Sequence, residues 1–246
     1  MEIIKLKKLK NIRDISYGNI KEKRLIRSES LFRLPRKDQK SLVEKYNLKV
    51  VIDLRTTQEH NDKKDKIIPG IKYLHLPIIT MEEMGASSEK EGKRNVIKNH
   101  KLPDIFDYYR RLVYRERKEA WTSIFNCLLD EEEGAILIHC TVGKDRAGIV
   151  AVMILLALGI DKETVYKDYL LTNEHPIIPF SYKVFALSLD KEFRKEFMEY
   201  FKAKTEYLDE AFKYIDEQYG GIDNFLTDMC GLTKEKRDRL KQLYCK

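Results

Sequence analysis

Apolar positions along this chain switch between two periods, and the switches mark out alternating strands and helices. Residues 25–27, Leu-Ile-Arg, read as a short strand. From 35 to 46 the spacing is helical, with Leu42, Val43 and Tyr46 on one face. Residues 48–54 form a nearly continuous apolar run broken by Asp53, the mark of a strand buried on both faces. Residues 71–76 alternate and predict a further strand. The polar stretch 80–99, with Gly85, Ser87, Ser88 and Gly92, reads as a loop beside a site or an exposed insertion. Helical periodicity then holds from 104 to 129, with a break near 116–119 that predicts two helices. Residues 135–139 predict the central strand and 147–158 the helix behind it, stopped by Gly159. Asp161 caps the next helix and places Glu163 in its first turn.

Past His175 the pattern changes. Pro176-Ile177-Ile178-Pro179-Phe180 breaks the chain, and two aromatic-rich helical stretches follow, 190–201 and 204–219. Phe185, Leu187, Phe193, Phe197 and Phe201 are expected to pack. That is compatible with a lid, which needs an apolar underside. No repeat and no Pro/Gly/Ser-rich linker divides the chain. One domain over 1–246 is therefore expected, with 175–202 as a helical lid and 203–246 as a helical C-terminal part.

Composition narrows the setting. Of 246 residues, 43% are hydrophobic and 35% charged, as in a globular protein with a highly charged surface. The longest apolar run, 149–158, is too short to span a bilayer, so no integral membrane segment is expected. The first residues lack an apolar stretch of signal-peptide length, which predicts a cytoplasmic protein, with export by another route left open. Cys127, Cys140, Cys230 and Cys245 have neither metal-ligand nor disulfide-framework spacing. The formal net charge of +7 attracts anions. Charges such as those of 234–239 alternate in sign and read as a solvated helix face. No basic-aromatic motif or recognition helix stands out, so nucleic acid is not an expected partner.

The candidate chemistry sits between the central strand and its helix, in His139-Cys140-Thr141-Val142-Gly143-Lys144-Asp145-Arg146-Ala147-Gly148. A strand–turn–helix aims successive backbone N–H groups at one anion. A cysteine at the start of that turn faces a field that favours the nucleophilic thiolate. The bland alternative is a small buried hydrophobe at a strand end. The fixed offsets of His139, Cys140, Gly143 and Arg146, between strand and helix flanks, favour catalysis. Cys140 would attack phosphorus. Arg146 and the N–H groups of 141–146 would hold the equatorial oxygens, and Gly143 would let backbone approach the anion. Lys144 would add a second positive charge at the rim, or be an ordinary exposed lysine. His139 would orient the loop; as a metal ligand it lacks partners at suitable spacing. A general acid must protonate the leaving oxygen. Asp145 is the first candidate, Asp104 and Asp107 are rivals on an upstream loop, and a structural role for all three is the alternative. Asp53 and Arg55, at a strand's C-terminal end, are either substrate contacts or an ion pair bracing the loop. No Walker phosphate loop is present, since Asp145 follows Gly143-Lys144 and no Gly lies four residues earlier.

These residues resemble the cysteine-dependent protein phosphatases. The Gly-Lys-Asp-Arg core is similar to the bacterial tyrosine and dual-specificity phosphatases with the signature His-Cys-x-x-Gly-Lys-Asp-Arg-Thr-Gly. That family includes secreted virulence phosphatases with phosphoinositide activity. Asn11-Ile12-Arg13-Asp14, Arg27-Ser28-Glu29-Ser30-Leu31, Asp53-Leu54-Arg55 with Glu59, Tyr207-Leu208 and Tyr219-Gly220 resemble its other elements, so the likeness runs from about Asn11 to Leu243. Two departures stand out: Ala147 replaces the usual Thr or Ser, and Ile15-Ser16 replaces Gly-Gly. The resemblance implies an α/β fold with a central, largely parallel sheet flanked by helices, and a loop aspartate as acid in at least some relatives. It also implies a metal-independent phosphatase with no cofactor. Its substrate would be a phosphotyrosine protein, with phosphoserine or phosphothreonine also in range. Alternatives are a phosphoinositide phosphatase and an inactive phosphate-binding module. A monomer is expected.

Overall fold

In the computed structural model, residues 1–84, 89–174 and 178–246 are described. The chain opens with two short strands, β1 (Glu2–Ile3) and β2 (Arg13–Asp14). Then come β3 (Leu25–Ser28), α1 (Arg36–Tyr46), β4 (Leu48–Asp53), α2 (Thr57–Asp62) and β5 (Lys72–His75). The middle holds α3 (Glu89–Asn99), α4 (Ile105–Arg111), α5 (Lys118–Asp130), β6 (Ala135–His139), α6 (Arg146–Ala157) and α7 (Lys162–Leu170). The last third is helical: α8 (Phe180–Ala186), α9 (Lys191–Tyr200), α10 (Thr205–Tyr219), α11 (Ile222–Asp228) and α12 (Lys234–Tyr244).

The strands form one sheet in the order β1-β2-β3-β6-β4-β5. β3, β6, β4 and β5 are parallel, and β1 and β2 join antiparallel at one edge. β6 lies between β3 and β4, so both its faces are covered, which is why Ala-Ile-Leu-Ile carries no polar alternation. Its alternate side chains divide between two cores. Ile136 and Ile138 join the large cluster that also holds Trp121, Phe125 and the apolar residues of α6. Ala135 and Leu137 join a smaller one with Leu42 and Tyr46 of α1 and Ile4, Leu9 and Ile12 of the N-terminal segment. The architecture is thus a mixed, mainly parallel sheet with helices on both faces. α6 runs buried through the larger layer; of its twelve residues only Leu156 is partly exposed.

The stretch 80–99 departs from its reading as a loop. Glu89–Asn99 is a helix, while Gly85, Ser87 and Ser88 lie outside the described residues. Its polarity misled because one face alone touches protein: Val96 joins Ala186, Leu189, Phe193 and Phe197 in a third cluster. That cluster also draws in Phe185 and Phe201, whereas Leu187 points to solvent instead of packing. α8 itself was hidden by the chain break read at 176–180; of that break, Pro176 lies outside the described residues together with His175 and Ile177.

Candidate functional site

The loop between β6 and α6 is shaped by where its carbonyls go. Cys140 O lies 3.2 Å from the His139 ring Nδ1, and Thr141 O accepts from the Ser30 amide. Val142 O accepts from Asn11 Nδ2 at 2.8 Å, and Gly143 O and Lys144 O both accept from Arg27 Nη2. Asp145 O enters α6 by accepting from the Ile149 amide. In a trans peptide the C=O of one residue and the N–H of the next point in opposite directions. Five carbonyls held outward therefore aim the N–H groups of residues 141–145 inward, and the Arg146 N–H follows at the free N-terminus of α6. The result is a concave ring of donors with Cys140 at one end and Arg146 at the other.

Gly143 is required at the turn of this ring, though not for the anion's sake. Its φ is +75°, and a Cβ there would meet Ser28 C, Ser28 O and Glu29 N at 2.7–2.8 Å. The close approach is to the exit of β3, which is also what brings Arg27 under the loop.

Behind the loop lies a buried charge cluster. Asp168 of α7 accepts from Arg13 Nε at 2.8 Å and Arg27 Nη1 at 2.6 Å, and Tyr17 donates to it at 3.1 Å. Arg13 also binds Asn11 Oδ1. Burial raises the cost of ionising Asp168, but the two guanidinium groups outweigh it and hold its carboxyl below the usual range. Arg13, Arg27 and Asn11 lie in stretches that carry the family resemblance and no chemical signal of their own; Asp168 has no sequence signal.

Arg146 is 5% exposed, and its fork is engaged by Glu59, with Nη1 on Oε2 and Nη2 on Oε1 at 3.0 Å. Thr141 Oγ1 donates to the same carboxylate. Burial disfavours the Glu59 anion, yet Arg146 beside it holds the pKa down to about 2. Glu59 also closes a capping box at the start of α2, its amide on Thr56 Oγ1 and its carboxylate on the Thr56 amide. Thr-x-x-Glu after a strand was the signal available for it.

Asp53 and Arg55 form a buried bidentate pair, Nε and Nη2 on the two carboxylate oxygens at 2.9 and 2.7 Å. Arg55 further contacts Asp65 at 3.0 Å and Lys63 O at 2.7 Å. This is bracing geometry with no free donor face turned to a ligand. His139 is fully buried, its Nε2 2.9 Å from Asp65 and Nδ1 3.8 Å from Asp53. The Asp65 contact is an ion pair too poorly aligned for a hydrogen bond. Burial opposes the imidazolium, but these carboxylates raise its pKa above 6.5. Among the described residues, two acid–histidine groups, Asp53/His60/His75 and Asp53/Asp65/His139, have donor atoms close enough to share a metal ion. In both, the Arg55 fork already occupies the Asp53 carboxylate, and that cation opposes a second one.

Asp145 faces the site from the loop's end. Tyr109 donates to its Oδ1 at 2.6 Å, Tyr109 and Tyr169 share a hydrogen bond at 2.6 Å, and Lys144 Nζ lies 3.3 Å from the same carboxylate. The rivals are elsewhere engaged. Asp104 caps α4 by accepting from the amides of Phe106 and Asp107. Asp107 is paired with Arg110 and Arg111. Lys144 is not at a rim. It is 4% exposed and donates to Tyr200 O at 3.1 Å and Lys202 O at 3.4 Å, tying the loop to the end of α9. Ala147 is fully buried at the first turn of α6. Tyr108, Tyr182 and Tyr200 lie near the site's charged groups: burial raises all three hydroxyl pKa values, with Arg146 opposing this at Tyr108 and Tyr182, and Asp145 reinforcing it at Tyr108 and Tyr200.

A mixed, mainly parallel sheet with a cysteine-to-arginine ring of N–H donors at the C-terminal end of β6 is a geometry suited to binding an oxyanion. The model of the tyrosine phosphatase family matches residues 4–246, and the chain belongs to that family. A tyrosine-protein phosphatase of Nostoc commune is 26% identical over 150 residues, covering 61% of this chain and 48% of that protein. The triple specificity protein phosphatase PtpB of Mycobacterium tuberculosis is 44% identical over 39 residues, 16% of this chain and 14% of that one. The matched spans thus cover half or less of these relatives. A solved structure of PTPMT1 in complex with PI(5)P is 15% identical, covering 72% of this chain and 94% of the other at a TM-score of 0.35.

Proposed function

We propose that this chain is a single-domain, metal-independent phosphomonoesterase working through a cysteinyl-phosphate, with phosphotyrosine in proteins as its main substrate class. The observation that carries this is the ring of inward N–H groups joining Cys140 to Arg146. Cys140 sulfur attacks phosphorus as the bond to the leaving oxygen breaks, and Asp145 gives that oxygen a proton. The three equatorial oxygens stay on the N–H ring and on Arg146, whose Nη atoms are aligned by Glu59 and whose buried Nε has no other partner. Water then attacks the phosphorus of the S–P intermediate. Asp145 takes its proton back, phosphate leaves, and the thiolate is restored. Asp53, Arg55 and His139 brace the loop from behind and do not touch substrate.

The tyrosines near the site suit an aryl phosphate, whose flat face stacks on aromatic walls. Multiply phosphorylated lipids would gain from a free cation at the rim, and Lys144 is committed to the backbone of α9. Phosphoinositides are therefore the second substrate class. Cys140 is 1% exposed, which supports a cover that is withdrawn when substrate enters. We assign that cover to the 178–202 segment, a lid latched by Lys144 and resting on α3.

The test is turnover of an aryl phosphate and a phosphotyrosyl peptide. Wild type should hydrolyse both, resist chelators and be inhibited by vanadate. Cys140→Ser should lose turnover by at least about 1,000-fold and still bind phosphate, since a serine hydroxyl there is not ionised. Activity retained in Cys140→Ser, or dependence on added divalent metal, refutes the mechanism. Binding of phosphate with no turnover by wild type would mean an inactive module.

A further inference from the structure

The outward faces of α3 and α8 carry two complementary stripes. On α8, Phe180, Val184 and Leu187 recur once per turn and are 81%, 49% and 69% exposed, with Lys183 exposed among them. The other side of this helix is already occupied: Tyr182, Phe185 and Ala186 belong to the cluster with Val96, Phe193 and Phe197. On α3, Lys90, Arg94, Ile97 and Lys98 fall at i, i+4, i+7 and i+8 and are all exposed. The inward side of α3 is spent on α8, with Glu89 accepting from Ser181 and Lys93 over the Tyr182 ring at 4.4 Å. Both stripes therefore point away from the one small core that joins the two helices. A lone exposed apolar side chain means nothing. Three in one row, beside a basic row with no acid at any of its positions, do need an account.

We propose that this face docks the protein on an anionic lipid bilayer. The Phe180–Val184–Leu187 row would enter the headgroup–acyl boundary, while Lys90, Arg94, Lys98 and Lys183 meet the negative surface. Charge complementarity favours this occupant: a second copy of the chain would bring the same basic row against itself. The inference goes beyond the phosphatase reading and does not depend on it. Its consequence for that reading is that the lid segment is also the part that touches the membrane.

Co-sedimentation with vesicles of phosphatidylcholine, with and without phosphatidylserine, tests it. The full chain should partition onto phosphatidylserine vesicles, less so at high salt, and onto neutral vesicles weakly. The triple variant Lys90→Glu, Arg94→Glu, Lys98→Glu should lower that partition by about 100-fold or more. The variant Phe180→Ser, Val184→Ser, Leu187→Ser should lower it at least about 10-fold. All these side chains are solvent-exposed, so the thermal unfolding midpoint should be unchanged in both variants, which separates lost docking from lost folding. Absence of vesicle binding, or binding unaltered in both variants, overturns the proposal. So does a wild-type dimer in sedimentation that the serine variant converts to monomer, since a second copy would then cover the row. Vesicle binding without aryl phosphate turnover by wild type would leave the docking standing and sink the phosphatase reading instead.

Discussion

Asp145, half-buried, and Asp168, fully buried, show two uses of a carboxylate. Asp145 is held through one oxygen by Tyr109, which leaves the other for the leaving group. Asp145→Asn should therefore slow alkyl phosphates far more than aryl phosphates with good leaving groups, by about 100-fold or more for the former. The readout is the dependence of phosphoenzyme formation on leaving-group basicity. If Asp145→Asn leaves that dependence unchanged and Asp104→Asn steepens it, the acid is upstream. Asp168 never meets substrate, but it neutralises Arg13 and Arg27, the second of which holds two loop carbonyls outward. Removing one partner of a buried pair strands the other charges. Asp168→Asn should cost about 3–5 kcal/mol in urea denaturation. It should also weaken vanadate binding, because the donor ring loses its backing. Near-wild-type stability would show that Arg13 and Arg27 are neutralised elsewhere.

At the scale of elements, Lys144 ties the loop after β6 to the end of α9. Lys144 Nζ donates to the carbonyls of Tyr200, the last residue of α9, and of Lys202, and contacts Asp145, so the β6–α6 loop and the proposed lid share a hydrogen-bonded group. Cations at helix C-termini are favourable for the same reason. Lys144→Met keeps the stem and deletes these bonds. Amide exchange over 191–202 should then quicken by about 10-fold, the equivalent of one charge-assisted hydrogen bond. The same change should lower KM for bulky phosphopeptides if the latch limits entry. Unchanged exchange would mean that the aromatic cluster alone holds α9. α3, by contrast, meets α8 and α9 through the buried Val96, the Glu89–Ser181 hydrogen bond and Lys93 over aromatic rings, which explains why its sequence looks like a loop.

For the whole molecule, the charged groups behind the site set a pH window. Glu59 titrates at about 2 when folded against an ordinary value of 4.5. A lowered carboxyl pKa stabilises above about pH 4.5, and that contribution drains away as pH falls toward 2. His139 shifts the other way. Its pKa is raised above 6.5, so its contribution is complete below 6.5 and is lost as pH rises through the folded value. Unfolding free energy measured by urea at a series of pH values should therefore fall on both sides of a plateau between about 4.5 and 6.5. Glu59→Gln should flatten the acid limb and His139→Asn the alkaline one. A profile whose limbs both survive these substitutions would assign them to other groups.

The four parallel strands and the strand–turn–helix around 139–146 were legible in the chain because they depend on local order, whereas the short antiparallel edge strands β1 and β2 were not. A strand buried on both faces must be apolar throughout, as residues 135–138 are. A donor ring needs its cysteine, glycine and arginine at fixed offsets within one turn. Helix capping by Asp161 and the stop at Gly159 are likewise local. What the chain could not disclose were meetings across long separations. Asp168 lies 141 residues from Arg27, and Glu59 87 from Arg146. Whether Lys144 faced solvent or backbone depended on α9, a helix whose position no period in the loop encodes. The polar stretch 89–99 became a helix for the same reason: its one buried face acquires meaning only against α8 and α9. Periodicity reports which side of a segment is apolar. Which charges neutralise each other, and which face of a helix is left for solvent, is decided when distant segments compete for the same buried space.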